Sequence, residues 1–156
     1  MTTTPFFASP QAFSSATDDW ATPAAYFKEL QKEFNFVLDP AASSTNHKAP
    51  AWYGLDHPDP QRQDGLAADW AAEAQALGGV VWLNPPYGKT MKQWTAKAAA
   101  ENAKGATVVL LLPARTDTKW FHEDCYKHEL RFIKGRLKFG GSTNSAPFPS
   151  VLVVMR

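Results

Sequence analysis

Apolar and polar positions along the chain follow two rhythms, and the places where one gives way to the other mark its elements. Thr22-Pro23 joins a residue suited to capping a helix with one suited to its first turn, and predicts a helix in which Ala25, Tyr26, Leu30 and Phe34 share a face. Phe36-Val37-Leu38 follows as a short strand ending at Asp39-Pro40. Residues 51–54 predict another strand, 56–63 a polar loop, and Asp69 the cap of a short helix running through Ala76. Beyond it the pattern sharpens. Residues 80–83 predict a strand, 90–103 a helix with Met91, Trp94 and Ala98 on one face and Gly105 at its end, and 107–112 a buried strand. A short helix is expected over 118–126, then two strands over 130–139 and 150–155 joined by the turn-rich GGSTNSAPFP.

Strands alternating with helices imply an α/β fold with a mostly parallel sheet, and a final pair joined without a helix adds an antiparallel element. In such open sheets ligands sit outside the carboxyl ends of the strands. That rule selects Asp39-Pro40 and Asn84-Pro85-Pro86-Tyr87 as neighbours on the functional edge.

A chain of 156 residues is most economically one domain, large enough to bury roughly 70% of the surface its unfolded form exposes. Residues 1–17, rich in Thr, Ser, Pro and Phe, are expected to be a flexible arm, with the domain over 18–156. The single cysteine, Cys125, cannot form an internal disulfide, and the N-terminus lacks a basic and apolar leader, so a reducing, cytoplasmic setting is expected. The apolar run over 106–114 is about half a membrane-spanning length and is read as a core strand; no membrane partner is expected.

Charge changes the picture more than its total suggests. Residues 1–78 carry 4 Lys/Arg and 10 Asp/Glu, a net −6, whereas residues 79–156 carry 12 and 5, a net +7. Such asymmetry suits one face to a polyanion. His47, His57, His122 and His128 have no zinc-motif spacing, no metal is expected, and no Gly-x-x-x-x-Gly-Lys-[Ser/Thr] loop exists, so nucleotide hydrolysis is unsupported. Trp82 and Trp94 are read as core.

Three stretches in order, Leu38-Asp39-Pro40-Ala41-Ala42-Ser43, Asp64-Gly65-Leu66 with Asp69-Trp70, and Asn84-Pro85-Pro86-Tyr87, resemble the motifs of S-adenosylmethionine-dependent DNA adenine-N6 methyltransferases. Trp20-Ala21-Thr22-Pro23 before them, and residues 113–118, Lys134-Gly135-Arg136 and residues 146–150 after them, are similar to the small phage and prophage-type members of the Dam group. The resemblance spans about residues 20–155 and implies a single Rossmann-like methyltransferase domain with S-adenosylmethionine as cofactor and DNA as partner. A monomer acting in the cytoplasm, that of a bacterial host if the gene is a phage's, is the matching expectation. The resemblance also assigns Asp39 to the methionine end of the cofactor, with Thr22, Pro23, Pro40, Ala41 and Asn46 lining the same pocket and Asp64 as a later acidic contact. The chain departs from the common pattern in one respect: no Gly-x-Gly follows Asp39, so close backbone approach falls to Ala41, Ala42 and Ser43.

The chemistry explains the Asn-Pro-Pro-Tyr choice. Adenine's exocyclic amine is a poor nucleophile because its lone pair is delocalised into the ring. An Asn84 side-chain oxygen and the Pro85 carbonyl can each accept one amine hydrogen, and Pro85 and Pro86 stiffen the loop that aims them. Tyr87 is expected to be exposed and to stack on a flipped base. Any planar amine fits such a loop, so cytosine N4 and a protein glutamine stay open as acceptors, as does a non-catalytic DNA-binding protein of the same fold. For DNA contact the candidates are Arg115, Lys134, Arg136 and Lys138; the last three, spaced by two, fall on one face if 130–139 is a strand. Lys127 and Arg131 lie in the same basic segment, with Lys119 nearer Arg115.

Overall fold

The computed structural model describes residues 22–139 and 145–156; the expected N-terminal arm and part of the GGSTNSAPFP connection lie outside them. The first described helix, α1 (Ala24–Gln31), buries Phe27 and Leu30. The face is therefore Phe27, Leu30 and Phe34 rather than one containing Ala25, which is exposed. Phe27 decides the rotation, because its ring stacks on Phe36 at 5.1 Å and meets Trp82 edge-on at 5.0 Å. Pro23 holds the cap position with no side-chain bond, so Thr22 does not cap this helix.

Strand β1 (Phe36–Asp39) pairs in parallel with β2 (Ala51–Trp52) on one side and β3 (Val80–Leu83) on the other. Between β2 and β3 the chain makes two short 3-10 turns, Pro60–Arg62 and Gly65–Ala67, and then α2 (Trp70–Leu77). Asp69 caps α2 as its sequence predicts, accepting the Ala72 N–H at 3.0 Å, and Gly78 ends it at φ 76°. Helix α3 (Met91–Ala103) connects β3 to β4 (Val108–Pro113), again in parallel, with Met91, Trp94 and Ala98 buried as expected. The same helix buries Glu101, whose carboxylate takes the Ala71 N–H and the Lys97 and Lys104 ammoniums at 2.8, 2.8 and 3.2 Å. Burial alone would push that carboxyl up, and these partners more than offset it, leaving it below the usual range.

A π-turn at Phe121–Cys125 leads to β5 (Glu129–Phe132), and β6 (Ser150–Met155) inserts antiparallel between β4 and β5. The sheet order is β2-β1-β3-β4-β6-β5, parallel through β4 and antiparallel at the C-terminal strands. Every residue of β4 and β6 is buried, as a strand covered on both faces requires. Strand β5 stops at Phe132, well short of the predicted 139. Gly135, at φ 76°, takes the left-handed region that a pleated strand excludes. Inward and outward positions still alternate: Ile133, Leu137 and Phe139 pack on the core while Lys134, Arg136 and Lys138 are exposed.

No helix among the described residues is long and apolar enough to cross a membrane. The order matters for the site. From β1 the chain steps outward to β2, then returns to place β3 on the other flank of β1, so the connections leaving β1 and β3 run to opposite sides at their carboxyl ends and open a crevice there.

Candidate active site

That crevice holds a cavity of about 470 Å³, within the size range of small-molecule sites. Thr22, Asp39, Pro40, Ala41, Asn46, Asp64, Asn84 and Pro86, all singled out in the sequence, line it together. Leu55, Leu66, Trp82 and Trp94 supply apolar wall, so the two tryptophans are buried and also face the cavity. Pro23, Pro85 and Tyr87 are not part of the lining.

Asp39 ends β1 and is 3% exposed. Its Oδ2 accepts the Lys48 N–H at 2.8 Å and its Oδ1 the Ala41 N–H at 3.4 Å, so the carboxylate folds the 40–48 loop back over the strand end. Burial pushes its carboxyl up to about 6, against the lowering effect of those two N–H groups and of the His47 and Lys48 charges. Asn46 holds the same loop from within, its Oδ1 accepting the Ser43 N–H at 2.7 Å. Asp64 is exposed and caps the 3-10 turn after it through the Leu66 N–H at 3.1 Å.

Close backbone approach is present without a Gly-x-Gly. A Cβ on Gly65 would overlap the Pro40 carbonyl oxygen, and one on Gly54 would overlap that of Ala42. Two distant glycines thus press against the loop after β1, while Ala41, Ala42 and Ser43 of that loop line the cavity. Trp70 fixes Gly65 by donating its indole N–H to the Gly65 carbonyl at 2.7 Å. Lys48, Tyr53 and Gly54 also join the wall and were not foreseen; nothing local in the sequence marks them, because their position depends on contacts between β2 and the loop of β1.

Asn84 follows β3, and its Nδ2 donates to Thr22 Oγ1 at 3.0 Å. Tyr87 departs from expectation: its ring is 8% exposed, its hydroxyl donates to the Leu111 carbonyl at 3.2 Å, and Phe148 and Phe139 meet it edge-on at 5.4 and 6.4 Å. Burial also drives the phenol far above its usual range. In this form Tyr87 anchors the loop in the core and offers no open face to a base.

The basic candidates divide. Antiparallel register sets Ser150 opposite Pro113 and Phe132 opposite Val151, so residues 133–139, with Lys134, Arg136 and Lys138, leave the sheet at the same edge as the cavity. Arg115 is exposed just past β4 on that edge. Arg136 also donates to the Ala146 carbonyl at 3.3 Å, bracing the connection. Arg131 is committed elsewhere, bidentate to Glu33 at 2.6 and 2.7 Å and bonded to Glu129 at 2.6 Å.

Fold and cavity together define an α/β protein with a ligand-sized site at the carboxyl edge of its sheet, walled by an acidic strand end and an Asn-Pro-Pro loop. The model of the DNA N-6-adenine-methyltransferase (Dam) family matches residues 10–156, and the chain belongs to that family. It is 32% identical over 150 residues to the DNA N-6-adenine-methyltransferase of Haemophilus phage HP1 (strain HP1c1), covering 90% of this chain and 79% of that protein. It is 30% identical over 107 residues to the DNA N-6-adenine-methyltransferase of Escherichia phage T1, covering 68% of this chain and 40% of that protein.

Proposed function

We propose that the protein transfers a methyl group from S-adenosylmethionine to the N6 amine of adenine in DNA, on a Rossmann-like methyltransferase fold. The observation that carries this reading is the cavity shared by the Asp39 loop with Asn84 and Pro86, read in a chain whose family and phage relatives bear that name. The lining suits the cofactor's chemistry: apolar walls at Leu55, Leu66, Trp82 and Trp94 for a ring, and charged groups at Asp39, Lys48 and Asp64. When bound, the sulfonium supplies an electrophilic methyl group.

Asp39 takes the ammonium of the methionine end, and Lys48, the basic residue among the described lining, its carboxylate. Asp64 meets a hydroxyl or amine, while Thr22, Pro40, Ala41 and Asn46 shape the pocket around them. Asn84 Oδ1 and the Pro85 carbonyl accept the two amine hydrogens of adenine and draw its lone pair out of conjugation. Tyr87 holds that loop in place. Arg115, Lys134, Arg136 and Lys138 contact DNA phosphates on the same edge, and the protein acts as a monomer in the bacterial cytoplasm, a setting suggested by the phage origin of both relatives. Incubation with labelled cofactor and unmethylated DNA, followed by nucleoside analysis, should yield N6-methyladenine; label in N4-methylcytosine, or none, would sink the reading.

The raised Asp39 carboxyl gives the cofactor step a pH dependence. In the free protein Asp39 takes up a proton as pH falls through about 6, and the neutral form no longer attracts a cation. Cofactor affinity measured by calorimetry should therefore weaken from pH 7 to pH 5, by up to about tenfold per pH unit below the midpoint. Asp39→Ala should raise the apparent KM for the cofactor at neutral pH, leave DNA binding largely intact, and flatten the pH profile. An unchanged affinity in that variant would leave Asp39 only its role in folding the 40–48 loop.

Replacing Lys134 and Arg136 together with alanine should weaken duplex binding and lower its salt slope by up to about one unit per lost phosphate contact, with cofactor affinity intact. Titration at several salt concentrations measures both. Unchanged slope and affinity would move the DNA face to Arg115 and Lys119.

A further inference from the structure

We propose that Phe132 is the stacking wedge of the DNA-binding edge: its ring enters the duplex beside the target adenine and fills the gap that extrusion of that base leaves. The inference rests on the methyltransferase reading of the site given above. The acceptor amine lies within a base pair, so a methyl group reaches it only after the nucleotide has left its stack. Extrusion leaves a hole, and proteins that part base steps insert an apolar side chain between them. Tyr87, the aromatic residue of the Asn-Pro-Pro-Tyr loop, is buried against Phe139 and Phe148 and is not open to a base.

Among the described residues four large apolar side chains are exposed: Leu55, Leu77, Tyr126 and Phe132. Leu77 ends α2 just before β3 begins, and Tyr126 precedes β5, so both stand at the amino edge of the sheet. Leu55 belongs to the cavity wall. Phe132 stands at the carboxyl edge and outside the cavity: Val151 pairs with Leu112 on one side and with Phe132 on the other, which sets the phenylalanine level with the end of β4. Leu130 and Phe132 share a face of β5, yet Leu130 packs on the core and Phe132 is 62% exposed, so the cover of that face ends between them.

An isolated exposed phenylalanine is ordinary on a protein surface, and the surroundings are what give this one a use. Lys134, Arg136 and Lys138 follow it and are exposed, and Arg115 is exposed on the same edge. Cations on that edge draw a phosphate backbone onto the ring. From β3, which Asn84 follows, to β5 is three strand spacings, roughly 14 Å, a span suited to a base in the cavity and a wedge in the stack it has left.

The test compares Phe132→Ala and Phe132→Tyr with the parent chain on a short duplex carrying the methylated sequence, mapped from product DNA. Single-turnover transfer is measured at protein concentrations that saturate the duplex for each chain. A second duplex carries 2-aminopurine at the target position, where its fluorescence rises on leaving the stack. The alanine variant should lose about tenfold or more in the saturated rate and most of the fluorescence rise, and tyrosine should restore both. Its melting temperature should stay near that of the parent, because the ring is exposed, and the salt slope of duplex binding should hold, because no charge is removed.

If affinity falls while the saturated rate and the fluorescence rise hold, Phe132 is a surface contact only and the proposal is overturned. A parent chain that sediments as a dimer, and an alanine variant that sediments as a monomer, would place a second copy of the chain on the ring and overturn it as well. The two readings fail differently. A parent chain that yields no N6-methyladenine defeats the methyltransferase reading itself, while N6-methyladenine from parent and alanine chains at equal saturated rates defeats this inference alone.

Discussion

Asn84→Ala is expected to lose methyl transfer by about 10²-fold or more, the cost typical of removing a preorganised partner at a transition state. The amide stands at the carboxyl end of β3 on the wall of the cavity, and its tie to Thr22 is made before any substrate arrives. Truncation removes the acceptor without disturbing the strand, whose Val81, Trp82 and Leu83 remain buried. Melting temperature and cofactor affinity should accordingly change little, and the loss should sit in the saturated rate. Asn84→Asp should retain partial activity, because a carboxylate still accepts an amine hydrogen. Single-turnover transfer to unmethylated duplex measures all three chains. Near-normal turnover in the alanine variant would falsify the assigned site.

Gly65→Ala should produce the largest effect of any one-carbon change in the cavity wall. Its added carbon would overlap the Pro40 carbonyl oxygen and sit 3.3 Å from the Trp94 ring, so neither neighbour can yield cheaply. Pro40 is backbone fixed beside Asp39, and Trp94 is buried on α3. Overpacking of this kind costs about 1–3 kcal/mol, which a thermal melt resolves. Relief requires the Gly65–Ala67 turn to move away from the end of β1, and that movement would carry Asp64 and Leu66 away from the cavity. Cofactor affinity, measured well below the melting temperature, should therefore fall by roughly tenfold alongside the stability loss. Parental melting and affinity together would show that the two walls are not in contact in solution.

Much of this was legible along the chain wherever the signal was local. Strands β3 and β6 begin and end where their apolar runs do, and Asp69 caps α2 because its side chain needs only the next three residues. The antiparallel C-terminal pair followed from the lack of a helix between its strands. Features set by distant partners were not legible. The α1 face turned on Phe27 because Trp82 and Phe36 wait across the core, and no period within the helix records them. Along the chain Arg131 is one more member of a basic segment, whereas in the fold Glu33, 98 residues away, holds it. Gly54 closes the strand predicted over 51–54 and Gly65 sits in a family-like motif, and neither reading shows their packing, since the carbonyls that exclude a side chain belong to another loop. The basic alternation of Lys134, Arg136 and Lys138 survived as a pattern of exposure although the strand that suggested it did not.

The burial of Tyr87 has a consequence for when order is lost and gained. The Asn-Pro-Pro segment is clamped at both ends, by Leu83 within the sheet and by the Tyr87 ring among Leu111, Phe139 and Phe148. Between those clamps two proline rings fix φ, so the segment keeps almost no torsional freedom. Its conformational entropy is given up once, as the chain folds, and not again at each encounter with a substrate. A base entering this site would meet acceptors already at rest, and the free energy of its binding would go into extracting the nucleotide from its stack and not into ordering the protein.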